Sequence, residues 1–148
     1  MYCGPAAVKL LGWLTDAGFT EEDFGTTVYL TALTKCFPGR APGSSKDRAP
    51  SVKERANCRP WLDEQQALVR PRVVILFGKM AIDTYLPKLS LNATIGKVFE
   101  IEGIPHLPLP HSSGASLWLN DNRNQALLAQ AIERLRELRI LHTGTRQE

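Results

Sequence analysis

The chain has 148 residues, 43% of them hydrophobic and 22% charged, which suffices for the core of one domain and excludes two full domains. It contains no run of about twenty apolar residues and no recognisable secretion signal, so we expect a soluble intracellular protein of the cytoplasm. Its three cysteines, Cys3, Cys36 and Cys58, include no C-x-x-C pair, which argues against a disulfide scaffold and against a complete metal site.

The positive charge is concentrated in one stretch. The formal net charge is only +3, but residues 35–59 hold seven Lys or Arg against two acids, a local charge of +5. Three prolines, two glycines and two serines at 37–50 predict a basic loop there. Cations near a phosphate backbone release condensed counterions, so the loop favours nucleic acid as a partner, with a merely solvated loop as the alternative.

The first predicted elements are a helix and a strand. Apolar residues at helical spacing from 6 to 17 predict an amphipathic helix that Gly18 ends. The β-branched and aromatic run at 28–33 predicts a buried strand.

A second helix is predicted after the basic loop. Ser51 and Glu54 have the spacing of a capping box, which predicts a helix start that continues to about Val69. Pro60 lies inside this helix and lacks a backbone donor, so we expect a kink or break just after Cys58.

The next segments predict the sheet. The run at 73–77 is apolar on both faces, which is typical of a central strand covered by helices. Gly78 turns the chain into a short helix at 80–86, and two further strands are predicted at 97–101 and 106–109.

The last helix completes the pattern. Asn120 or Asp121 can cap it, and 142–148 are predicted to be a flexible tail. Its predicted apolar stripe consists of Ala126, Leu127, Ala131, Ile132, Leu135 and Leu138. The whole order predicts a single α/β domain over 1–148, a three-layer α/β/α sandwich with a central, mostly parallel sheet.

Open α/β sheets bind ligands beyond the carboxyl ends of their strands, which selects 31–36, 77–80 and 110–118. Gly78 and Lys79 are candidate substrate or DNA contacts, although the spacing of a nucleotide-binding phosphate loop is absent. His111 follows a strand and precedes small residues that let a ligand approach, but a surface histidine or one with its hydrogen bonds satisfied would look the same. For Cys36 and Cys58, a shared soft metal and two free thiols are both open.

Ordered motifs along nearly the whole chain resemble those of one enzyme family. They lie at 28–39, 50–54, 58–62, 70–81 and 110–114. Together they resemble the iron-sulfur uracil-DNA glycosylases, families four and five of the uracil-DNA glycosylase superfamily. The resemblance implies a parallel sheet between helices and removal of a deaminated base from DNA after the nucleotide rotates out of the stack. DNA, single- or double-stranded, is the implied partner, and we expect a monomer without a membrane partner.

The resemblance also implies roles around the histidine. His111 stabilises the charge on the leaving base, while Ser112 and Ser113 hold a neighbouring phosphate. Leu117 or Trp118 inserts into the gap that the base leaves. Ser112 stands where the family's H-P-S loop has proline, so we expect a looser loop around His111.

Further roles fall on the basic region. Arg40, Lys46 and Arg48 of the loop are implied to contact DNA. Ala32 stands where family four has an asparagine that reads the edge of uracil. Because alanine cannot form that hydrogen bond, a family-five-like breadth of substrates is implied.

By the same resemblance, Cys36 and Cys58 are two of the four thiolates of a [4Fe-4S] cluster. The other two ligands, and the glycine-rich motif that positions water, are expected upstream of Met1, so we expect an N-terminally shortened domain. The alternative function is a catalytically inactive DNA-binding module, or a truncated remnant of such an enzyme.

Overall fold

The computed structural model describes residues 5–45, 47–112 and 117–143, and these residues have an α/β architecture. The elements, in chain order, are α1 (Pro5–Asp16), α2 (Asp23–Thr26), α3 (Val52–Val69), β1 (Val74–Phe77), α4 (Lys79–Tyr85), α5 (Leu91–Thr94), β2 (Phe99–Ile101), β3 (Ile104–Leu109), a 3-10 helix (Leu117–Asn120) and α6 (Asn122–Thr143). Residues 25–71 form one compact unit, and the segments before and after them form a second. Within the described ranges, no helix combines the length and apolar character that crossing a bilayer needs.

Three strands form the described sheet, in the order β1-β3-β2. β1 pairs with β3 in parallel, and β2 pairs with β3 antiparallel. The β2–β3 connection is the pair Glu102-Gly103, whose φ angles of 52° and 76° fit a type I′ hairpin turn. The predicted α/β class is confirmed. The prediction of a central strand at 73–77 is wrong for this sheet, because β3 lies in its centre and β1 at its edge.

β3 is central although it contains two residues that cannot donate to a ladder, Pro105 and Pro108. Gly78 donates its N–H to the carbonyl oxygen of Leu109 at 2.9 Å, so the backbone groups of Leu109 face β1. Successive residues of a strand direct their backbone groups to opposite sides, so those of Pro105 face the β1 side and those of Pro108 the β2 side. β2 pairs with residues 104–106 of β3 and β1 with residues 106–109, so both ladders end at His106. Each missing N–H therefore points past the end of the neighbouring strand.

The hydrophobic core lies in the unit that contains the sheet. Its buried side chains come from α1, α4, α6, β1 and β3, and include Leu10, Leu14, Leu76, Ile82, Leu107, Leu109, Ala131 and Leu135. Gly18 ends the first helix as predicted: with φ at 93°, its N–H donates to Thr15 and the N–H of Phe19 donates to Leu14. This pair of bonds is the Schellman motif.

The strand predicted in the smaller unit is wrong, and the break that was one alternative for its helix is absent. Residues 28–33 form no strand, and Tyr29 and Leu30 are 54% and 48% exposed. A β-branched and aromatic run forms a strand only where another strand pairs with it, and no described strand does so here. α3 continues through Pro60 without a break, because the missing N–H removes one helical hydrogen bond and the flanking turns remain.

The last helix agrees with its prediction apart from two details. Asp121 accepts the N–H of Arg123 at 2.8 Å, which confirms it as the cap. Ala126 is exposed, and Leu128 packs against the core in its place. The helix runs to Thr143, past its predicted end.

Candidate active site

His111 lies two residues beyond the carboxyl end of β3, next to the end of β1. Its ring centroid is 5.3 Å from that of Phe77, with 32° between the ring planes. Gly78, with φ at 83°, is so close that a Cβ built on it would lie 3.2 Å from His111 Cδ2. Adjacent parallel strands end at one sheet edge, so the structure brings the two predicted candidates Gly78 and His111 together, with the imidazole exposed.

Lys79, the other candidate after β1, points its charge along its own helix. Its ammonium forms an ion pair with Asp83, one turn further along α4. The side chain of Lys79 is 46% exposed, so this cation near the end of β1 is accessible although it is paired with a carboxylate.

Ser112 is only 1% exposed, and its hydroxyl donates to the carbonyl oxygen of Ala6 at 2.5 Å. A phosphate would need an accessible hydroxyl, because burying its charge without compensation is costly. The prediction that Ser112 holds a phosphate is therefore not supported by this geometry. Ser113, the second predicted phosphate contact, lies outside the described residues.

The two residues predicted to insert into DNA differ in their exposure and in how firmly their neighbours hold them. Leu117 is 75% exposed at the start of the 3-10 helix. Trp118 packs against the core, and its indole N–H donates to Asn92 at 2.9 Å. Its carbonyl oxygen accepts from the side chain of Asn124 at 2.8 Å. The geometry favours Leu117 as the inserting residue, because Trp118 is held at both its ring and its backbone.

The basic loop offers fewer accessible charges than its composition indicates. Both terminal guanidinium nitrogens of Arg48 donate to the carboxylate of Glu54, at 2.8 and 2.5 Å. This contact, reinforced by hydrogen bonds with Ser51, lowers the pKa of Glu54 from 4.5 to about 2. Arg40 is exposed, and Lys46 lies outside the described residues. Of the loop cations predicted to contact DNA, Arg48 is therefore already engaged by a carboxylate.

Ala32 lies in a segment without regular secondary structure, and the side chain of Lys35 contacts this segment. The ammonium of Lys35 donates to the Ala32 carbonyl at 2.8 Å, the Thr31 hydroxyl at 2.7 Å and Gln65 Oε1 at 2.6 Å. Composition counts Lys35 among the basic charges of this stretch, but three oxygens share its ammonium. Ala32 is exposed and brings no polar side-chain atom to the surface.

Cys36 and Cys58 belong to the same compact unit. The N–H of Lys35, the residue before Cys36, points at Cys58 Sγ from 3.4 Å. Neither cysteine forms a disulfide, with Cys36 exposed and Cys58 partly buried. An N–H directed at sulfur suits a thiolate that binds a cluster.

The cysteine pair fits only part of a [4Fe-4S] site, which takes four thiolates. Cys3 lies outside the described residues. In the described ranges, no three side chains of His, Cys, Asp or Glu come together as metal ligands. The described ranges therefore contain two cysteines of the implied set and do not complete it.

Three contacts of the site escaped prediction from the sequence. Phe77, which packs on His111, was within reach, since it ends the strand whose carboxyl end was already a candidate. Asn92, which holds Trp118, and Ala6, which holds Ser112, come from distant elements. No local spacing or motif signals those two contacts.

Comparison with known proteins agrees with this architecture. The family model described as the uracil DNA glycosylase superfamily matches residues 1–136. The chain belongs to the uracil-DNA glycosylase superfamily. The family predicted from the ordered motifs is thereby confirmed.

Proteins named type-4 and type-5 uracil-DNA glycosylases are similar to this superfamily member. It is 29% identical over 106 residues to the type-4 uracil-DNA glycosylase of Archaeoglobus fulgidus, covering 68% of this chain and 48% of that protein. It is 41% identical over 98 residues to the type-5 uracil-DNA glycosylase of Pyrobaculum aerophilum, covering 64% and 40%. The type-4 uracil-DNA glycosylase of Thermotoga maritima is 26% identical over 135 residues, covering 89% and 63%. The chain thus spans about half the length of these relatives.

Proposed function

We propose that this chain hydrolyses the N-glycosidic bond of uracil, or of another deaminated base, in DNA, with His111 stabilising the leaving base. The observation that carries the proposal is the exposed imidazole at the carboxyl end of β3, held against Phe77 and Gly78. The names of its relatives, type-4 and type-5 uracil-DNA glycosylases, support the same reaction class.

The role of His111 follows from the charges that the reaction creates. Breaking the bond between base and sugar leaves a negative base and a positively charged, oxocarbenium-like sugar. A donor that is already in position lowers the barrier, because it needs no reorganisation while this charge develops. A ring N–H of His111 is the donor in this proposal. The base reaches it only after leaving the DNA stack, which suits an accessible imidazole at a strand end.

Replacement of His111 by alanine tests this function. Single-stranded DNA with one uracil is incubated with excess protein and then treated with alkali, which cuts the strand wherever the base is gone. The wild-type chain is expected to give scission, and His111→Ala to slow it by about a hundredfold or more, the loss typical of removing one preorganised donor. Excess protein makes the measured rate that of a single turnover.

His142→Ala is the matched control. His142 lies near the end of α6 and contributes its carbonyl oxygen to Arg72, which the substitution leaves in place. Its scission rate should equal that of the wild type. An unchanged rate in His111→Ala would overturn the catalytic role. DNA binding without scission in the wild type would instead identify a non-catalytic DNA-binding module.

We also propose how DNA meets the site. Leu117, exposed at the start of the 3-10 helix, inserts where the base departs. Ser113 contacts a phosphate, and Gly78 and Lys79 border the entering nucleotide. The side chain of Ala32 cannot form a hydrogen bond with the edge of a base, which permits more than one deaminated base.

Cys36 and Cys58 are proposed as two ligands of a [4Fe-4S] cluster. The N–H of Lys35 directed at Cys58 Sγ supports this proposal. When bound, the cluster supplies structural stabilisation of the basic loop.

Cysteine replacement tests the cluster proposal. After anaerobic reconstitution with iron and sulfide, Cys36→Ser and Cys58→Ser are expected to hold less iron per chain than the wild type, because each removes a thiolate. Cys3→Ser is the matched control and should keep the wild-type iron content. Equal iron content in all four proteins, at a level well above background, would exclude the two cysteines as ligands.

A further inference from the structure

The residue after the proposed catalytic histidine is a buried serine whose hydroxyl has one specific acceptor. We propose that Ser112 is a positioning residue, whose hydrogen bond to the Ala6 carbonyl fixes the backbone that carries His111. This inference rests on the proposed function for its effect on catalysis.

The hydrogen bond joins two distant parts of the chain. Ser112 Oγ lies 2.5 Å from the carbonyl oxygen of Ala6, a residue 106 positions away in the first turn of α1. A carbonyl oxygen has two lone pairs, so Ala6 can accept this bond and still serve its helix. With 1% of Ser112 exposed, water competes little for the hydroxyl.

The residues on either side of His111 connect this hydrogen bond to the position of the imidazole. β3 ends at Leu109, so no ladder bond of the described sheet holds residue 111. Pro110 and Ser112 are each less than 2% exposed, whereas His111 between them is exposed. Two buried neighbours therefore hold one accessible imidazole. Proline restricts its own φ, and the serine relies on its hydrogen bond.

The bond and the contacts of the ring constrain His111 from two directions. Phe77 and Gly78 limit the ring from the end of β1, and Ser112 limits the backbone from α1. Losing the hydroxyl removes the second of these constraints. A displacement of about 1 Å at a catalytic group can cost as much as a hundredfold in rate.

Ser112→Ala tests the proposal against Thr94→Val. Thr94 is also buried in the same unit, and its hydroxyl donates to the Ser90 and Leu91 carbonyls at 3.3 and 3.1 Å, the N-cap and first residue of its own helix. Both variants lose a buried hydroxyl that donates to backbone carbonyls, so both should melt at lower temperature. Only Ser112→Ala is expected to lower kcat, by about tenfold or more, with KM changed less than about twofold. Ser112→Cys, which has a similar size and a weaker donor, should give an intermediate kcat and serves if the alanine variant does not fold.

A second measurement does not depend on activity. The Phe77 ring, 5.3 Å from the His111 ring, shifts the NMR resonance of the His111 Hδ2 proton. Ser112→Ala and Ser112→Cys should move this resonance toward its value in an unfolded peptide, and Thr94→Val should not. Wild-type kcat and resonance position in the Ser112 variants would overturn the proposal, as would equal changes in Thr94→Val. A moved resonance together with no base release by the wild type would uphold the positioning and refute the proposed reaction.

Discussion

Gly78 is the residue whose replacement would disturb His111 most directly. Its φ of 83° lies in the left-handed region, and a Cβ there would meet His111 Cδ2 at 3.2 Å. A distance of this size requires the imidazole to shift, because the ring is the nearest atom group to the added carbon. Gly78 thus combines a backbone requirement with a steric one.

Gly78→Ala is expected to lose both stability and activity. The backbone at φ 83° and ψ 160° is essentially open only to glycine, so alanine should cost about 1–3 kcal/mol of unfolding free energy, and the displaced imidazole should slow uracil release. Urea unfolding and the single-turnover scission assay measure the two effects. Gly103→Ala is the matched control, because Gly103 has φ at 76° and nothing within 4 Å of an added Cβ. It should lose stability at an unchanged scission rate, and equal rates in both variants would refute the contact with His111.

The start of α3 combines a helix cap with an ion pair. Ser51 accepts the N–H of Glu54 at 3.2 Å, and the Glu54 carboxylate accepts the N–H of Ser51 at 2.7 Å, which confirms the predicted capping box. The same carboxylate binds Arg48 of the basic loop. The Glu54 side chain therefore stabilises both the start of α3 and the end of the basic loop.

Glu54→Gln is expected to make stability less sensitive to acid. The pKa of Glu54 is about 2 in the folded chain and 4.5 in the ordinary case, chiefly because of Arg48. Between these values the unfolded chain takes up a proton that the folded chain does not, so the contribution of Glu54 is complete above pH 4.5 and is lost as pH falls toward 2. Urea unfolding at a series of acidic pH values should give a shallower loss of stability for Glu54→Gln. Arg48→Ala should flatten it too, and a wild-type slope in both variants would contradict the ion pair.

Elements with local determinants could be predicted from the sequence. The capping box of α3 and the end of α1 at Gly18 depend on residues within a turn of one another, and both are confirmed. The run at 28–33 and the central position of β3 depend on which strands pair, which propensity does not encode. The two prolines of β3 are compatible with its central position, because each missing N–H points past the end of the neighbouring strand.

Across the whole molecule, charge is distributed unevenly. Residues 35–59 have a formal charge of +5, although the chain as a whole has only +3. Within this stretch, Arg48 is engaged by Glu54, and Arg59 by Asp63 at 2.6 Å. The attraction that DNA would feel therefore depends on which cations lack an acidic partner, rather than on their number.

Arg40→Ala and Arg48→Ala are expected to differ in their effect on DNA binding. Arg40 is exposed, so its loss should reduce the slope of log Kd against log salt by about 0.7 for single-stranded DNA, the value for one phosphate contact. Arg48→Ala is the matched control and should change the slope less, because Glu54 already neutralises it. Fluorescence anisotropy of a labelled oligonucleotide at increasing salt measures both slopes. Equal slopes for Arg40→Ala and the wild type would remove Arg40 from the interface.

The candidate site could be predicted from the sequence as far as sheet topology reaches. Because β1 and β3 are adjacent and parallel, Gly78 and His111 had to lie at the same edge once both strands were recognised. The role of Ser112 could not be predicted, because its acceptor lies 106 residues away and a serine pattern looks the same whether it binds phosphate or backbone. The hydrogen bond from the Lys35 ammonium to Gln65 could not be predicted for the same reason, since the two residues are 30 positions apart.

The setting of Trp118 also gives this chain an intrinsic optical signal. Its indole is partly buried and bonded to Asn92, directly after the exposed Leu117, whereas Trp61 is 61% exposed in the other unit. In a Trp61→Phe background, emission would come from Trp118 and Trp13 alone. A nucleotide seated against Leu117 would change the polarity around the neighbouring indole, so base eversion could be followed in a stopped-flow fluorimeter without an attached dye.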